Sequence, residues 1–292
     1  VLKVFGGSGT RSEKVHPPRA AYELWADTYP AIAHNPLMRV EQEVVQPLLA
    51  QCRARRALDV GTGSGRYLPL LTSSGASTVV GVDFSLAMLA RGAEARSGHV
   101  AQRVSAAKKD LAGLPPPRPW RLGEPRRSSP ESSASGGGRP CATSVFDPAT
   151  QATGRAMCIC ADACRLPFRR GTFDLINASL MVGDVPDLAG WSREMARALS
   201  LGGHLVYSDF HPSWAQHGWS RTFRTADGVV REIPFHAHSI EDHLTALGES
   251  GFHVLAIREP RFREDGDAAV KAFRRRWRNP RVIVVFHAAR ER

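Results

Sequence analysis

The stretch ALDVGTGSGRY, Ala57 to Tyr67, restricts the fold more than any other part of the chain. A short apolar run carries Asp59 into a turn of three glycines, Gly61, Gly63 and Gly65. A second apolar run, TVVGVDFS from Thr78 to Ser85, ends in another acid, Asp83. Strand, glycine turn, helix, strand and acid is the order of a nucleotide-binding crevice in an open α/β sheet. Small residues at the turn let the backbone approach a ligand closely, and Asp83 can accept hydrogen bonds from two ribose hydroxyls. The spacing is GxGxG, not the GxGxxG of dinucleotide sites.

The rest of the chain reads as elements built around that unit. From Arg19 a helical stripe places Tyr22, Trp25, Ala26 and Tyr29 on one face. Such a stripe either packs in the core or closes as a lid over the crevice ahead of it. Asn35 and Pro36 form an N-cap and first turn for a second helix, through Val40, Val44, Val45 and Leu48 to about Cys52. Further helices are expected from Gly65 to about Ser73 and from Ser85, as N-cap, to about Arg96. The segment from about 108 to 154 is rich in Pro, Ser, Gly and Arg and too poor in apolar residues to order itself, so it reads as a disordered insertion. Order returns with ICADACRLPF, a strand ending at Asp162, and with the strand Thr172–Leu180. DVPDLAGWSREMARALS has the acidic start and basic end of a helix. The strand Gly203–Phe210 follows, then a hairpin around Asp227-Gly228, a helix capped by Ser239, and two strands, HVLAIREPRF and RVIVVFHAA. Between those strands KAFRRRWRNPR gathers positive charge around Trp277.

The formal net charge of +11 over 292 residues is high for an enzyme of small metabolites. It fits either an acidic partner such as nucleic acid or a chain with arginine-rich solvated loops. The five cysteines are an odd number without framework spacing, which points to a reducing compartment. Cys158 and Cys160 lie two apart in a strand and share a face as small core residues; with Cys164 a soft-metal site is the alternative, though no second cluster accompanies it. No apolar run reaches the roughly 20 residues of a membrane span. The N-terminal stretch lacks the apolar core of a signal peptide, so the expected location is cytoplasmic.

Four motifs in order, LDVGTGSG, GVDFS, ADACRLPF followed by TFDLI, and LSLGGHLVYSDF, resemble those of the class I S-adenosylmethionine-dependent methyltransferases, in particular the small-molecule branch of quinone- and biotin-pathway enzymes. The resemblance covers roughly Tyr22 to Gly113 and Arg155 to the C-terminus. It implies a Rossmann-like doubly wound α/β sheet of seven strands, mostly parallel with an antiparallel last strand, under an N-terminal helical lid. A loose tail, 1–18, would precede a single domain, 19–292, broken by the insertion. S-adenosyl-L-methionine would be the cofactor. The turn Gly61, Thr62, Gly63 and Gly65 would pass under its methionine part, with Asp59 near the amine. Asp83 would take the ribose hydroxyls, Phe84 would lie beside the adenine, and Asp162 and Ala163 would contact it. Ala178 and Ser179 would border the methyl group, and Tyr22 and Tyr29 resemble lid aromatics. Asp184 stands where relatives often carry histidine or an aromatic residue.

Ligands in such sheets bind beyond the carboxyl ends of the strands, which places Asp209 and His211 at the methyl acceptor. His211 is the candidate general base, because imidazole titrates near neutrality; simple packing before Pro212 is the alternative. His236 and His238 alternate along an extended segment and share a face as further substrate contacts. Trp214, Trp219, Phe223 and Phe235 would roof the pocket, favouring an apolar or aromatic small molecule. Without a carboxylate at ligand spacing, no metal is expected there. RNA is the competing acceptor class, through the basic segment near 271–281. A third reading keeps the cofactor fold without methyl transfer. The sequence leaves the oligomeric state open.

Overall fold

The apolar runs of the sequence become the middle of a seven-stranded sheet, seen in a computed structural model that describes residues 13–14, 17–96, 156–264 and 266–291. The expected insertion and most of the expected tail lie outside the described residues. The strands of this sheet are β2 (Arg56–Val60), β3 (Thr78–Asp83), β4 (Met157–Cys160), β5 (Phe173–Ser179), β6 (Leu199–Phe210), β9 (Phe252–Arg258) and β10 (Ile283–Arg290). Their order is β4-β3-β2-β5-β6-β10-β9. Neighbours among β2 to β6 pair in parallel, and β10 runs antiparallel to both β6 and β9. Every residue of β3 is buried, as a central strand covered on both faces requires.

The connectivity positions the site. The chain steps outward from β2 to β3 to β4, then returns to lay β5 along the other edge of β2. That reversal opens a crevice at the carboxyl ends of β2 and β5, from which the chain leaves in opposite directions along the sheet.

Two apolar layers flank the sheet, sorted by the two-residue period of the strands. Ile283 and Val285 of β10 face one layer, with Val206, α2 (Pro36–Gln51), α3 (Leu68–Ser73) and α8 (Ala268–Trp277). Val284 and Phe286 face the other, with Tyr207, α5 (Leu188–Ala198) and α7 (Ile240–Glu249). The helix α4 (Leu86–Arg96) follows β3, and the single-turn helix α6 (Ser213–Gln216) follows β6. A smaller cluster joins Ala21 and Trp25 of α1 (Pro18–Trp25) to Met88 and to Phe223 and Ile233. The last two residues belong to a hairpin, β7 (Arg221–Arg224) and β8 (Val230–Ile233), turning at Asp227-Gly228 as its sequence predicts. The short β1 (Glu13–Lys14) pairs in parallel with β8.

Several element boundaries depart from the sequence reading. Helix α3 starts at Leu68 and not Gly65, because Gly65 sits at φ +86°, a left-handed conformation that cannot begin a right-handed helix. β4 stops at Cys160, leaving Asp162 in a turn that bridges Arg165. β6 begins at Leu199, four residues early, so that Leu199 pairs with Phe173. The basic segment is a helix, α8, whose N-cap Asp267 accepts from Val270 N at 3.0 Å and which buries Val270 and Phe273.

Helix α7 has a complete capping box: Ser239 Oγ accepts from Asp242 N at 3.0 Å, and Asp242 Oδ2 accepts from Ser239 N at 2.8 Å. Ser239→Ala is expected to lower stability by about 1 kcal/mol. Urea unfolding followed by circular dichroism measures it, and an unchanged midpoint would remove the cap from the account.

Candidate functional site

The glycine turn is held by the two acids that the sequence singled out. Asp59, buried at the end of β2, accepts from Thr62 Oγ1 at 2.6 Å and from Asn177 Nδ2 at 2.7 Å. It therefore ties the turn to β5. Asp83, buried at the end of β3, accepts from Gly63 N at 2.7 Å and Ser85 N at 2.9 Å. Thr62 N donates to Val82 O at 2.9 Å, closing the turn onto β3. Gly61 combines φ +66° with a tight approach, since a Cβ there would lie 2.7 Å from Met181. Gly63, at φ +55°, has open space where its Cβ would be. Burial pushes the Asp83 carboxyl up to about 7 and that of Asp59 up to about 6, against the hydrogen bonds that favour their ionised forms.

The end of β5 meets this turn. Ala178 is buried, and Ser179 Oγ donates to Asn177 Oδ1 at 3.2 Å. Leu180 then adopts φ +56°, a conformation rare for a side-chain-bearing residue, and its N–H reaches Ser208 O and Ser208 Oγ, each at 3.0 Å. Ser208 Oγ in turn donates to Glu41 Oε1 at 2.8 Å. The other oxygen of Glu41, fully buried on α2, meets Arg66 at 2.8 Å and accepts from Tyr67 Oη at 2.8 Å. The sequence reading missed this network. Its signal was a glutamate inside the apolar stripe Val40, Val44, Val45 and Leu48, which is costly unless paired.

The stripe of α1 forms a roof. Tyr22 meets Phe84 edge-on at 5.6 Å, and Trp25 stacks on Phe223 of the hairpin at 5.2 Å. Tyr29 packs on Trp25 at 4.8 Å, and Ser64 Oγ of the glycine turn donates to Pro30 O at 3.2 Å. A polar clasp locks this arrangement. Tyr22 Oη donates to Asp184 Oδ2 at 2.7 Å, and Arg221, buried in β7, pairs with Asp184 and donates to Tyr22 Oη at 3.2 Å. Asp184, noted in the sequence only as a departure, thus joins the roof, the hairpin and the loop after β5. Arg221 was not foreseen.

Asp209 supports the same loop from below. It is buried, accepts from Gly183 N at 3.2 Å, and faces His243 Nε2 at 3.8 Å. His243 shares a hydrogen bond with Tyr207 Oη at 3.2 Å and packs edge-on against His238 at 5.7 Å. Burial pushes Asp209 up to about 7 and, with His238 beside it, His243 down to about 3. His236 N donates to Gly183 O at 2.8 Å, and its ring stacks with His238 at 6.1 Å. His238 Nε2 lies 2.9 Å from Val185 O.

The structure therefore brings together Asp59, Gly61, Thr62, Gly63, Gly65, Asp83, Phe84, Tyr22 and Tyr29, with Ala178 and Ser179 on the adjacent strand. Asp162 and Ala163 lie at the tip of β4, beside β3, where Asp162 Oδ1 accepts from Cys164 N at 2.8 Å. Both ring nitrogens of His211 are engaged: Nε2 pairs with Glu259 at 2.9 Å and Nδ1 accepts from Ser213 N at 3.1 Å. Trp219 is built into the core among Trp214 at 5.5 Å, Phe273 at 5.1 Å and Trp277 at 5.3 Å. Of the expected roof, Phe223 covers α1 and Phe235 lies beside Gly183.

Comparisons with known proteins identify the family and the fold. The profile of a family described as a methyltransferase domain matches residues 33–257. A demethylmenaquinone methyltransferase of Mycolicibacterium gilvum is 40% identical over 62 residues, which is 21% of this chain and 27% of that relative, so the match spans about a quarter of its length. Among solved structures, an S-adenosylmethionine dependent methyltransferase of Mesorhizobium loti superposes with TM-score 0.53 at 21% identity, covering 86% of this chain and 98% of its own. A chain of the complex between the Haloferax volcanii Trm112 methyltransferase activator and a methyltransferase gives 0.57 at 16% identity, covering 94% and 98%. At such identities the likeness is one of fold.

The buried acids make stability depend on pH. A carboxyl whose folded value is raised binds its proton more tightly in the folded chain, so its contribution is full below the ordinary value near 4 and is lost as pH rises through the folded value. For Asp209 that window runs from about 4 to about 7. Asp209→Asn keeps the acceptor oxygen without the charge, so relative to wild type it should gain a few kcal/mol, on the order of 1.4 kcal/mol per pH unit, across that window. Urea unfolding of both proteins at pH 5, 6 and 7 reads the difference, and parallel curves would overturn the assignment.

Proposed function

We propose, for a chain that belongs to the methyltransferase domain family, that it transfers the methyl group of S-adenosylmethionine to a small apolar or aromatic acceptor. The observation that carries the acceptor class is the aromatic roof: Tyr22 on Phe84 and Trp25 on Phe223 close an apolar, water-excluding cover over the carboxyl end of the sheet. The relative that matches over a short segment is named for demethylmenaquinone, which agrees with an aromatic acceptor.

The residues fit the donor. Gly63 offers open space at the turn, where a side chain would otherwise intrude. Each oxygen of Asp83 accepts one backbone N–H and keeps a lone pair, so the carboxylate can take one ribose hydroxyl on each side. Phe84 and the turn at Asp162 and Ala163 would hold the adenine, and Gly61, Thr62, Gly63 and Gly65 the methionine part, with Ala178, Ser179 and Tyr29 around it. Asp59 is assigned to bracing the turn, since Thr62 and Asn177 engage both its oxygens. When bound, the donor supplies an electrophilic methyl group for in-line displacement.

The chain's own contribution is alignment, exclusion of water and a proton acceptor. We assign His236 as the base in preference to His211, whose ring nitrogens are both engaged. The His236 backbone is fixed on Gly183, and burial with His238 nearby lowers its pKa, favouring the neutral form that a base requires. Asp209 positions Gly183, and His238 positions the segment through Val185.

Two experiments test the reading. Asp83→Ala removes two charge-assisted acceptors and should weaken donor binding in calorimetry by more than about 100-fold; wild-type affinity would sink the ribose assignment. In wild type, affinity should rise as pH passes upward through about 7, because Asp83 must shed its proton to take both hydroxyls. Methyl transfer from labelled donor into a cell extract should place the label in lipophilic small molecules. Label in RNA, with affinity falling steeply in salt, would transfer the function to the basic helix α8 and overturn the acceptor class.

A further inference from the structure

We propose that Cys52, His204 and His287 form a zinc site at the end of the sheet opposite the glycine turn. The β6–β10 register sets His204 opposite Ala289 and His287 opposite Val206. Alternation then makes the two histidines diagonal neighbours on one face of the sheet. That face is covered by α2, whose C-cap residue is Cys52. The three donor atoms lie within 4.8 Å of one another. His204 Nδ1 is 3.0 Å from His287 Nε2, and Cys52 Sγ is 3.6 Å from the same nitrogen. Tetrahedral zinc with ordinary bond lengths needs N···N of about 3.3 Å and S···N of about 3.6 Å, so the two pairs at His287 need shifts of a few tenths of an ångström at most. Cys52 Sγ and the His204 nitrogen, which lie within 4.8 Å, would settle at about 3.6 Å.

The surroundings suit such an ion. One thiol and two imidazoles are a soft to borderline donor set, which selects zinc over magnesium or calcium. The carboxyl end of α2, at Cys52, directs the negative end of its dipole at the cluster. Cys52 and His287 are buried while His204 is half-buried, giving the ion a path to solvent and leaving a fourth position for water. Cys158, Cys160 and Cys164, the soft-metal set considered from the sequence, form no such group among the described residues. About five residues of β6, roughly 16 Å, separate His204 from Asp209, so the ion would tie α2 to β6 and β10 without touching the transfer site.

The test uses the full chain, stripped with chelator and dialysed against zinc chloride, with metal analysis of the protein. Wild type should retain one zinc bound through this cluster. Cys52→Ser and His204→Gln should each weaken binding tenfold or more, and Cys164→Ser should bind as wild type does. Cobalt(II) in place of zinc should give a thiolate charge-transfer absorption that Cys52→Ser abolishes. Should Cys52→Ser fail to fold, His204→Gln decides alone, because its half-buried side chain can be replaced at little cost to the core. Absence of zinc from wild type, or unchanged affinity in His204→Gln, would overturn the proposal.

Discussion

Two carboxylates buried at the tips of adjacent parallel strands hold the rest of the site in place. Asp59 and Asp83 end β2 and β3, and between them they engage Thr62, Asn177, Gly63 and Ser85. Their position is costly, since burial works against ionisation of both. The hydrogen bonds recover part of that cost and fix the glycine turn against β5. A turn fixed in advance spends no binding free energy on ordering itself when a ligand arrives.

From this point order spreads through polar groups shared between elements. Asp209 fixes Gly183; the same loop carries Asp184; and Asp184 grips Tyr22 of α1 and Arg221 of the hairpin. Roof, hairpin and sheet tip are therefore joined through one buried carboxylate. Arg221 is the cation of that clasp and has no counterpart in an apolar core, so removing either partner would strand a charge out of water. The aromatic contacts of Tyr22 with Phe84 and Trp25 with Phe223 pack beside the clasp, which ties α1 to the sheet tip.

The sequence made the sheet and the glycine-turn crevice legible because both are written in short-range pattern. Apolar runs ending in Asp59 and Asp83, with glycines at fixed offsets, require no knowledge of distant contacts. Clasp and network were hidden for the opposite reason: Tyr22 and Asp184 are 162 residues apart, and Glu41 and Ser208 are 167. Single charged residues at such separations carry no periodic signal. Helix α8 was legible in principle, since Val270, Phe273 and Trp277 recur at i, i+3 and i+7, but three consecutive arginines masked that stripe. His211 was singled out because it follows the carboxyl end of a strand and its imidazole titrates near neutrality. It follows Asp209 by two residues, yet it lies beyond the end of β6, where Glu259 and Ser213 claim it.

Helix α2 connects these levels. Near its middle Glu41 reaches Ser208 and through it the left-handed Leu180 at the end of β5. At its carboxyl end Cys52 meets His287 on β10. The two contacts flank the apolar seam of Val45, Leu48 and Leu49 along the same helix. An apolar seam by itself resists separation but tolerates sliding, whereas a buried ion pair at one end and directional sulfur and nitrogen contacts at the other do not. The register of α2 on the sheet is therefore set by polar groups, and with it the position of Leu180, whose strained backbone only an over-determined neighbourhood can maintain.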